Sequence, residues 1–259
     1  MEEKALLKQV IDNPRTFETI KNPSEEVIIA ALSRNGNNIK FIMNPTFEQK
    51  KTAIKNTPLA IQYIDDLEEE LQILAVKLLW NSLKLIKKPS LKVKMEAVKT
   101  RGWAIQYINN PEEQLAQVAV KKDYDAIKYI KNPSKAVQLS AIENYFGAIK
   151  FIKNPELDIK RAAINIDEEA INYIDSYDEN ELKIFIRDNI NILKYAYGAI
   201  EPEIVVKILI EKLKEDEFTK EYMGAFLELE ILEMDKIRFI SEYGNKRTKK
   251  LLIDYKLSK

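Results

Sequence analysis

The chain has 259 residues, of which 46% are apolar and 32% are charged, and its 41 basic and 41 acidic side chains give a formal net charge of zero. This balance argues against a disordered polyelectrolyte and against a strongly basic nucleic-acid protein. Histidine and cysteine are both absent. The usual neutral-pH base, the thiolate nucleophile, disulfides and nearly every zinc site are therefore excluded, and we assign no catalytic residue, cofactor or metal ligand.

The beginning of the sequence, MEEKALLKQVIDNP, lacks the basic segment and unbroken apolar stretch of a secretory leader. Nowhere do 18 uncharged apolar residues follow one another. We therefore expect a soluble, cytoplasmic protein with no membrane partner. The excess of isoleucine and lysine over arginine is typical of an AT-rich genome, which suggests a bacterial or phage source.

A repeated phrase of eight residues divides the chain into three regions. AIQYINNP ends at Pro111, AIKYIKNP at Pro133 and AIKFIKNP at Pro155, so consecutive copies lie 22 residues apart. In chain order, the predicted regions are an N-terminal cap (1–15), nine in-register 22-residue helical repeats (16–199), and degenerate repeats with a C-terminal helical cap (200–259). This period predicts an all-α fold, an elongated and curved α-solenoid of about ten or eleven two-helix repeats.

Each copy carries the signals of two helices. The first is predicted to be a short helix that buries Ile127, Tyr129 and Ile130, or their equivalents in other copies. The second is expected to begin with Asn132 as its N-cap and Pro133 as its first residue. Apolar residues 4, 8 and 9 after the proline then form a buried stripe with a 3.6-residue period. Glutamates are expected at the third helical position, where they can complete a capping box: Glu25, Glu69, Glu113 and Glu179.

Two columns of residues repeat with the same 22-residue spacing. The first is a column of alanines, which implies that neighbouring helices approach closely there: Ala31, Ala53, Ala75, Ala97, Ala119, Ala141 and Ala163. The second holds large side chains, which we expect to pack opposite the alanines: Phe41, Tyr63, Leu85, Tyr107, Tyr129, Phe151, Tyr173 and Tyr195. No single copy can bury its stripe alone, so stability is expected to come from neighbouring repeats.

The short helix, the Asn-Pro turn, the longer helix, the AI-x-[YF]-I phrase and the alanine column together resemble short bacterial α-solenoid repeats. These are of the HEAT-like and leucine-rich-repeat-variant kind, and the copies are also similar to the repeat known as domain of unknown function 4116. The resemblance covers roughly residues 16–199. It implies an interaction scaffold and supplies no catalytic residue.

Two acidic runs occur, at residues 65–70 and 175–181. The second lacks the sixth-position glycine and the late bidentate glutamate of a calcium-binding EF-hand loop. Both runs follow a turn and precede a predicted helix. We therefore interpret them as exposed charges at helix starts.

Lysines also recur at fixed positions. One row lies on the predicted outer side of the second helix and provides candidates for partner binding: Lys55, Lys77, Lys99 and Lys121. A second row follows the first helix: Lys40, Lys84, Lys128, Lys150 and Lys194. Such rows can follow a phosphate backbone or an acidic protein surface, or they can simply keep a repeat protein soluble.

Charge is segregated along the chain. Residues 1–155 carry 24 basic and 18 acidic residues, a net charge of +6, whereas residues 156–259 carry 17 and 23, a net charge of −6. Such a dipole can orient a partner during encounter or allow self-association from head to tail.

Aromatic residues between the second helix of one copy and the first helix of the next complete the set of partner-binding candidates: Trp80, Trp103, Tyr124 and Phe146. Tryptophan and tyrosine are frequent binding hot spots, but they can also cover helix ends. We therefore predict a non-enzymatic helical-repeat scaffold that binds another protein over several repeats, for instance as a regulator or inhibitor of a larger complex. The alternative is a nucleic-acid-binding solenoid that uses the basic residues 1–155.

Overall fold

A computed structural model describes residues 2–215 and 218–258 of the chain. Met1, Asp216, Glu217 and Lys259, which belong to the predicted caps, lie outside these residues. The chain divides into two compact units, Met1–Val137 and Gln138–Lys259. Within the described residues every regular element is helical and no strand occurs, which confirms the predicted all-α class.

The first unit alternates α-helices with 3-10 helices, which we label η. Its elements are α1 (Glu2–Asp12), η1 (Pro14–Thr19), α2 (Glu25–Arg34), η2 (Gly36–Phe41), α3 (Phe47–Asn56), η3 (Pro58–Tyr63), α4 (Glu69–Leu78), η4 (Trp80–Leu85), α5 (Leu91–Thr100), η5 (Gly102–Tyr107), α6 (Glu113–Lys122) and η6 (Tyr124–Tyr129). The next helix, α7 (Lys135–Asn144), contains the boundary between the units.

The second unit continues this alternation and then changes to α-helices alone. Its elements are η7 (Phe146–Phe151), α8 (Leu157–Ile166), η8 (Glu168–Tyr173), α9 (Glu179–Asp188), η9 (Ile190–Ile192), α10 (Leu193–Ala196), η10 (Tyr197–Ala199), α11 (Pro202–Lys214), α12 (Lys220–Glu228), α13 (Lys236–Tyr243) and α14 (Lys246–Leu257). No helix in the described ranges combines the length and the apolar character needed to span a membrane.

The elements keep the 22-residue period of the sequence. From α2 to α9 each α-helix has ten residues and begins 22 residues after the previous one, from Glu25 to Glu179. The 3-10 helices begin at the same interval, from Pro14 to Ile190. Within each unit, consecutive helix pairs contact their neighbours. This arrangement of paired helices is that of an α-solenoid repeat, so the predicted fold class is confirmed.

The core lies along the α-helix of each repeat, as the stripe predicts. All seven alanines of the alanine column are fully buried, and in α6 the stripe residues Leu115 and Val120 are buried beside Ala119. Gly102 shows how closely neighbouring repeats approach, because a Cβ atom on it would lie 2.3 Å from the Ala119 carbonyl oxygen. A side chain there would have to displace backbone atoms.

The turn between the two helices of a repeat differs from its prediction. Asn132 is not an N-cap: it has a left-handed conformation with a φ of 50°, as do the asparagines at four equivalent positions. Helix α7 starts two residues after Pro133, and Ser134 caps it by accepting a hydrogen bond from the Val137 amide at 3.3 Å. Proline disfavours the right-handed helical conformation in the residue before it, and asparagine tolerates the left-handed one.

The glutamates that were expected at the third helical position occupy the first position instead: Glu25, Glu69, Glu113 and Glu179. Their carboxylates still lie near the positive end of the helix dipole. Capping boxes occur elsewhere, between Thr46 and Gln49 and between Asp178 and Glu181. The acidic run 175–181 therefore begins a helix, as its interpretation required.

The first helix of each repeat is a 3-10 helix, and it buries fewer residues than predicted. Ile127 is buried, but Tyr129 is 37% exposed. Because a 3-10 helix has three residues per turn, Tyr129 lies about 240° around the helix from Ile127. The column of large side chains is therefore not buried as predicted, although Leu85 still packs against the core cluster that contains Ala53 and Ala75. Its members are exposed or half-buried at the surface: Phe41, Tyr63, Leu85, Tyr107, Tyr129, Phe151, Tyr173 and Tyr195.

Two of the repeats that lack the Asn-Pro turn use a lysine in its place. Residues 66–67 are Asp-Leu and residues 176–177 are Ser-Tyr, and neither pair contains a left-handed residue. In both cases the fourth residue of the preceding α-helix is a lysine, Lys50 or Lys160. We call this arrangement the lysine clasp, because the ammonium group binds the turn of the following repeat.

The clasp is made of backbone and carboxylate contacts. Lys50 Nζ donates to the Asp66 carbonyl oxygen at 2.7 Å and lies 3.1 Å from Glu68 Oε1. Lys160 Nζ donates to the Ser176 carbonyl oxygen and to both carboxylate oxygens of Glu181, each at 2.9 Å. The ammonium group thus fixes a turn that has no left-handed asparagine to shape it.

Residues 200–258 depart from the repeat. Residues 236–243, with the sequence KIRFISEY, form the α-helix α13 and not a 3-10 helix of the kind that the repeats contain. Tyr222 of α12 is buried, and its hydroxyl donates to the Ile186 carbonyl oxygen at 2.9 Å, which ties α12 to α9. Burial raises the pKa of Tyr222, so this hydroxyl stays a neutral donor.

Candidate functional site

The four candidate lysines of the α-helices lie where the sequence predicts. Lys55, Lys77, Lys99 and Lys121 are the ninth residues of α3, α4, α5 and α6, and all four are exposed. Lys77 and Lys99 share one carboxylate, because their Nζ atoms lie 3.1 Å from Glu96 Oε2 and 3.5 Å from Glu96 Oε1. The hydrogen bond from Lys77 holds the pKa of Glu96 below its ordinary value, against the opposing effect of burial. The middle of this lysine row is therefore partly neutralised.

The four candidate aromatic residues are half-buried at the beginning of 3-10 helices. Trp80, Tyr124 and Phe146 are first residues of such helices, whereas Trp103 is a second residue. Tyr124 belongs to the first unit and Phe146 to the second. The structure therefore places them at related repeat positions, three in the first unit and one in the second.

Two of these candidates contact a large side chain of the following repeat. Trp80 stacks on Tyr107, with ring centroids 5.9 Å apart and an angle of 24° between the planes. Phe146 packs on Tyr173 at 5.9 Å in a tilted arrangement. These contacts hold the half-buried rings in fixed positions beside the exposed ones.

The exposed rings were missed at the sequence level because they were assigned to the core. In the first unit, Phe41, Tyr63, Tyr107 and Tyr129 are 36–44% exposed. Each is the last residue of η2, η3, η5 or η6, and from η2 to η6 each 3-10 helix contacts the next one along the chain. We call these four residues the aromatic row. The signal that reveals them is their position two residues after a buried isoleucine, which turns them away from the core in a helix of either period.

A compact polar cluster surrounds Trp103. Its indole Nε1 donates to Asp125 Oδ1 at 2.6 Å. Two cations lie over the indole ring, the Arg101 guanidinium at 4.6 Å and Lys128 Nζ at 4.9 Å from the ring centroid. Asp123 Oδ2 lies 3.4 Å from Arg101 Nε and completes the cluster. Trp103 is therefore held in one orientation before any partner binds.

The charges of this cluster stabilise one another. Lys128 Nζ lies 2.9 Å from Asp125 Oδ2. Partial burial opposes the charged form of Asp125, but hydrogen bonds from Trp103 and Lys128 outweigh it, so the pKa of Asp125 lies below its ordinary value. The hydrogen bond to Asp125 in turn raises the pKa of Lys128. Both groups stay charged across the physiological pH range.

Hydrogen-bond donors accompany the aromatic row. The fifth residue of each 3-10 helix from η2 to η6 is exposed, and lysine alternates with glutamine at this position: Lys40, Gln62, Lys84, Gln106 and Lys128. Lys40 Nζ lies over the Phe41 ring at 4.7 Å, and Lys128 Nζ lies over the Tyr129 ring at 5.0 Å. Two members of the second lysine row, Lys40 and Lys128, thus lie directly beside exposed rings of the aromatic row.

The acidic run 65–70 borders a groove of about 620 Å³ in the first unit. A backbone hydrogen bond and Lys50 hold the pKa of Glu68, one of its carboxylates, below its ordinary value, against the opposing effect of burial. Among residues 2–215 and 218–258, no group of three or more acidic side chains could hold a metal ion. The surface of the first unit thus presents half-buried rings, exposed rings and a line of hydrogen-bond donors.

Comparison with known proteins returned nothing: no family model, no curated protein and no solved structure matches the chain. A proposal for the function therefore rests on the surface of the first unit.

Proposed function

We propose that this chain is a non-enzymatic helical-repeat scaffold that binds another protein along η2 to η6 of its first unit. The observation that carries this proposal is the aromatic row, four rings that are 36–44% exposed on contacting 3-10 helices. Monomeric proteins seldom leave such a series of large apolar side chains at one surface. A partner that covers the row gains buried apolar area over several repeats at once.

The free energy that a partner gains by covering the aromatic row follows from the exposed area of the four rings. An aromatic side chain offers about 150–250 Å², so a ring that is about 40% exposed leaves roughly 60–100 Å² for a partner. At about 25 cal/mol per Å², each ring contributes about 1.5–2.5 kcal/mol when it is covered. Trp80 and Trp103 lower the entropic cost of binding, because stacking and hydrogen bonding already fix their orientation.

The competing function is nucleic-acid binding through the lysines of the α-helices. The observation that favours it is the exposure of Lys55, Lys77, Lys99 and Lys121 at one repeat position. Glu96 weakens this alternative, because it lies between two of these lysines and places a carboxylate where a phosphate would bind. A role as regulator or inhibitor of a larger complex, or self-association through the charge dipole, remains compatible with the protein-binding proposal.

The proposal is tested by affinity capture from the cells of the source organism, with the full chain as bait. Half of the lysate is treated with nuclease, and each eluate is analysed for protein by mass spectrometry and for nucleic acid by staining. We expect specific protein capture that is unchanged by nuclease, and no stained nucleic acid. Capture that disappears after nuclease treatment would show that nucleic acid is the true ligand.

A further inference from the structure

The side chains at the fifth residue of each 3-10 helix indicate which class of partner the aromatic row binds. Along η2 to η6 this position holds three lysines and two glutamines and no acidic residue. Lysine is a donor only, with three N–H groups and no acceptor, and the glutamine amide adds further donors. At this position the aromatic row therefore has a donor-rich border that includes the exposed charges of Lys40 and Lys84, and the complement of this border is a chain rich in carboxylate acceptors.

We propose that the partner presents an extended acidic segment that lies along the aromatic row, with carboxylates at the lysines and apolar side chains against the rings. This inference rests on the proposed function, since it specifies what the same surface binds. Lys40 and Lys84 lie on exposed positions at the two ends of a span that contains Tyr63. Lys128 already contacts Asp125, and it contributes by holding Trp103 and Tyr129 in place.

The repeat spacing defines the pattern of such a segment. Packed helices lie about 8–10 Å apart, so lysines on alternate repeats are separated by roughly 16–20 Å. An extended chain advances about 3.3 Å per residue. Acidic residues should therefore recur about every five or six residues in the segment, with an apolar residue about every third position to meet successive rings.

The geometry of the rings favours a peptide over single-stranded nucleic acid. Nucleic-acid readers stack bases on open aromatic faces. Here Lys40 lies over the Phe41 ring, Lys128 over the Tyr129 ring, and Tyr107 stacks on Trp80. One face of each of these three rings is thus engaged within the protein, whereas apolar side chains of a peptide can pack against ring edges.

The test uses three labelled polymers of similar length and the full chain: a copolymer of glutamate and tyrosine, poly-glutamate, and oligothymidylate. Binding is measured by fluorescence anisotropy at low and moderate salt. We expect the glutamate–tyrosine copolymer to bind at least about tenfold more tightly than either other polymer, and binding to weaken as salt rises. Equal binding of poly-glutamate, tighter binding of oligothymidylate, or no binding of the copolymer at about 1 mM would overturn the proposal.

Two double variants locate the binding on the chain. Lys40→Gln with Lys84→Gln should weaken binding of the copolymer about fivefold or more. The control, Lys55→Gln with Lys77→Gln, removes two exposed charges from the α-helices and should leave binding of the copolymer unchanged. Equal losses in both variants would refute the assignment to the aromatic row.

The affinity capture distinguishes failure of this inference from failure of the proposed function. If the chain captures a protein but binds no acidic polymer, the protein-binding function stands and the acidic class of partner is wrong. If the chain binds the copolymer but its capture depends on nucleic acid, the proposed function itself is wrong.

Discussion

The lysine clasp of the second unit provides a sharp test of how the repeat replaces its Asn-Pro turn. Lys160 is 8% exposed, and its ammonium group makes three hydrogen bonds of 2.9 Å to Ser176 and Glu181. Lys160→Met keeps the length and the apolar stem but removes all three bonds. The variant leaves a carbonyl oxygen and a carboxylate without their shared cation.

The expected loss of unfolding free energy follows from the burial of Lys160 and Glu181. Breaking a buried ion pair by removing one member typically costs about 3–5 kcal/mol, and a hydrogen bond to a charged group is worth about 1.5–3 kcal/mol. The side chain of Glu181 is 22% exposed, so water can partly replace the lysine. We therefore expect Lys160→Met to lower the free energy of unfolding by about 2–4 kcal/mol.

The matched control is Lys183→Met in α9. Lys183 pairs with Glu179 at 2.6 Å, but the two side chains are 34% and 57% exposed. Such a surface pair is worth about 0–1 kcal/mol. Urea denaturation followed by far-UV circular dichroism compares the midpoints of the two variants. Equal midpoints would refute the idea that the clasp holds a turn that lacks asparagine and proline.

Two further predictions concern the close approach of repeats and the charge beside Trp103. Gly102→Ala should lower the free energy of unfolding, measured by urea denaturation, by about 1–3 kcal/mol, whereas Gly198→Ala, with no atom within 4 Å of the added Cβ, should be nearly neutral. Equal effects of the two substitutions would contradict the close approach of the repeats at Gly102. The folded pKa of Asp125 is depressed, so its stabilising contact is complete above about pH 4, the ordinary value, and is lost as pH falls through the lower folded pKa. The fluorescence emission of Trp103, measured with the other tryptophan replaced by phenylalanine, should change in that acidic pH range. Asp125→Asn should abolish this pH-dependent change. A change that persists in the Asp125→Asn variant would contradict the assignment of the titration to Asp125.

The repeat architecture could be predicted because it depends on residue patterns that recur many times along the sequence. The alanine column and the stripe of α6 are buried as their spacing predicts. Tertiary packing reinforces these patterns in every copy, so one fixed interval determines the register of a long segment.

The predictions for the turn and for the residues of the aromatic row were wrong for separate physical reasons. Asn132 was assigned as an N-cap from its residue type, but the conformation before a proline is decided by steric contacts with the ring. Tyr129 was assigned to the core as a large side chain that packs opposite the alanine column, although its angle around the helix turns it outwards. The contacts of Trp103 join residues from neighbouring repeats, and no single copy of the sequence contains them.

The most direct test of the protein-binding claim is the affinity of the captured partner for two double variants. Tyr63→Ser with Tyr129→Ser removes two rings of the aromatic row, which are 44% and 37% exposed. Leu78→Ser with Leu91→Ser removes two apolar side chains that are 49% and 48% exposed but lie outside the row. We predict that the row variant binds the partner at least about thirtyfold more weakly, equivalent to about 2 kcal/mol, and that the control binds like the unmodified chain. Unchanged binding of the row variant would contradict the account.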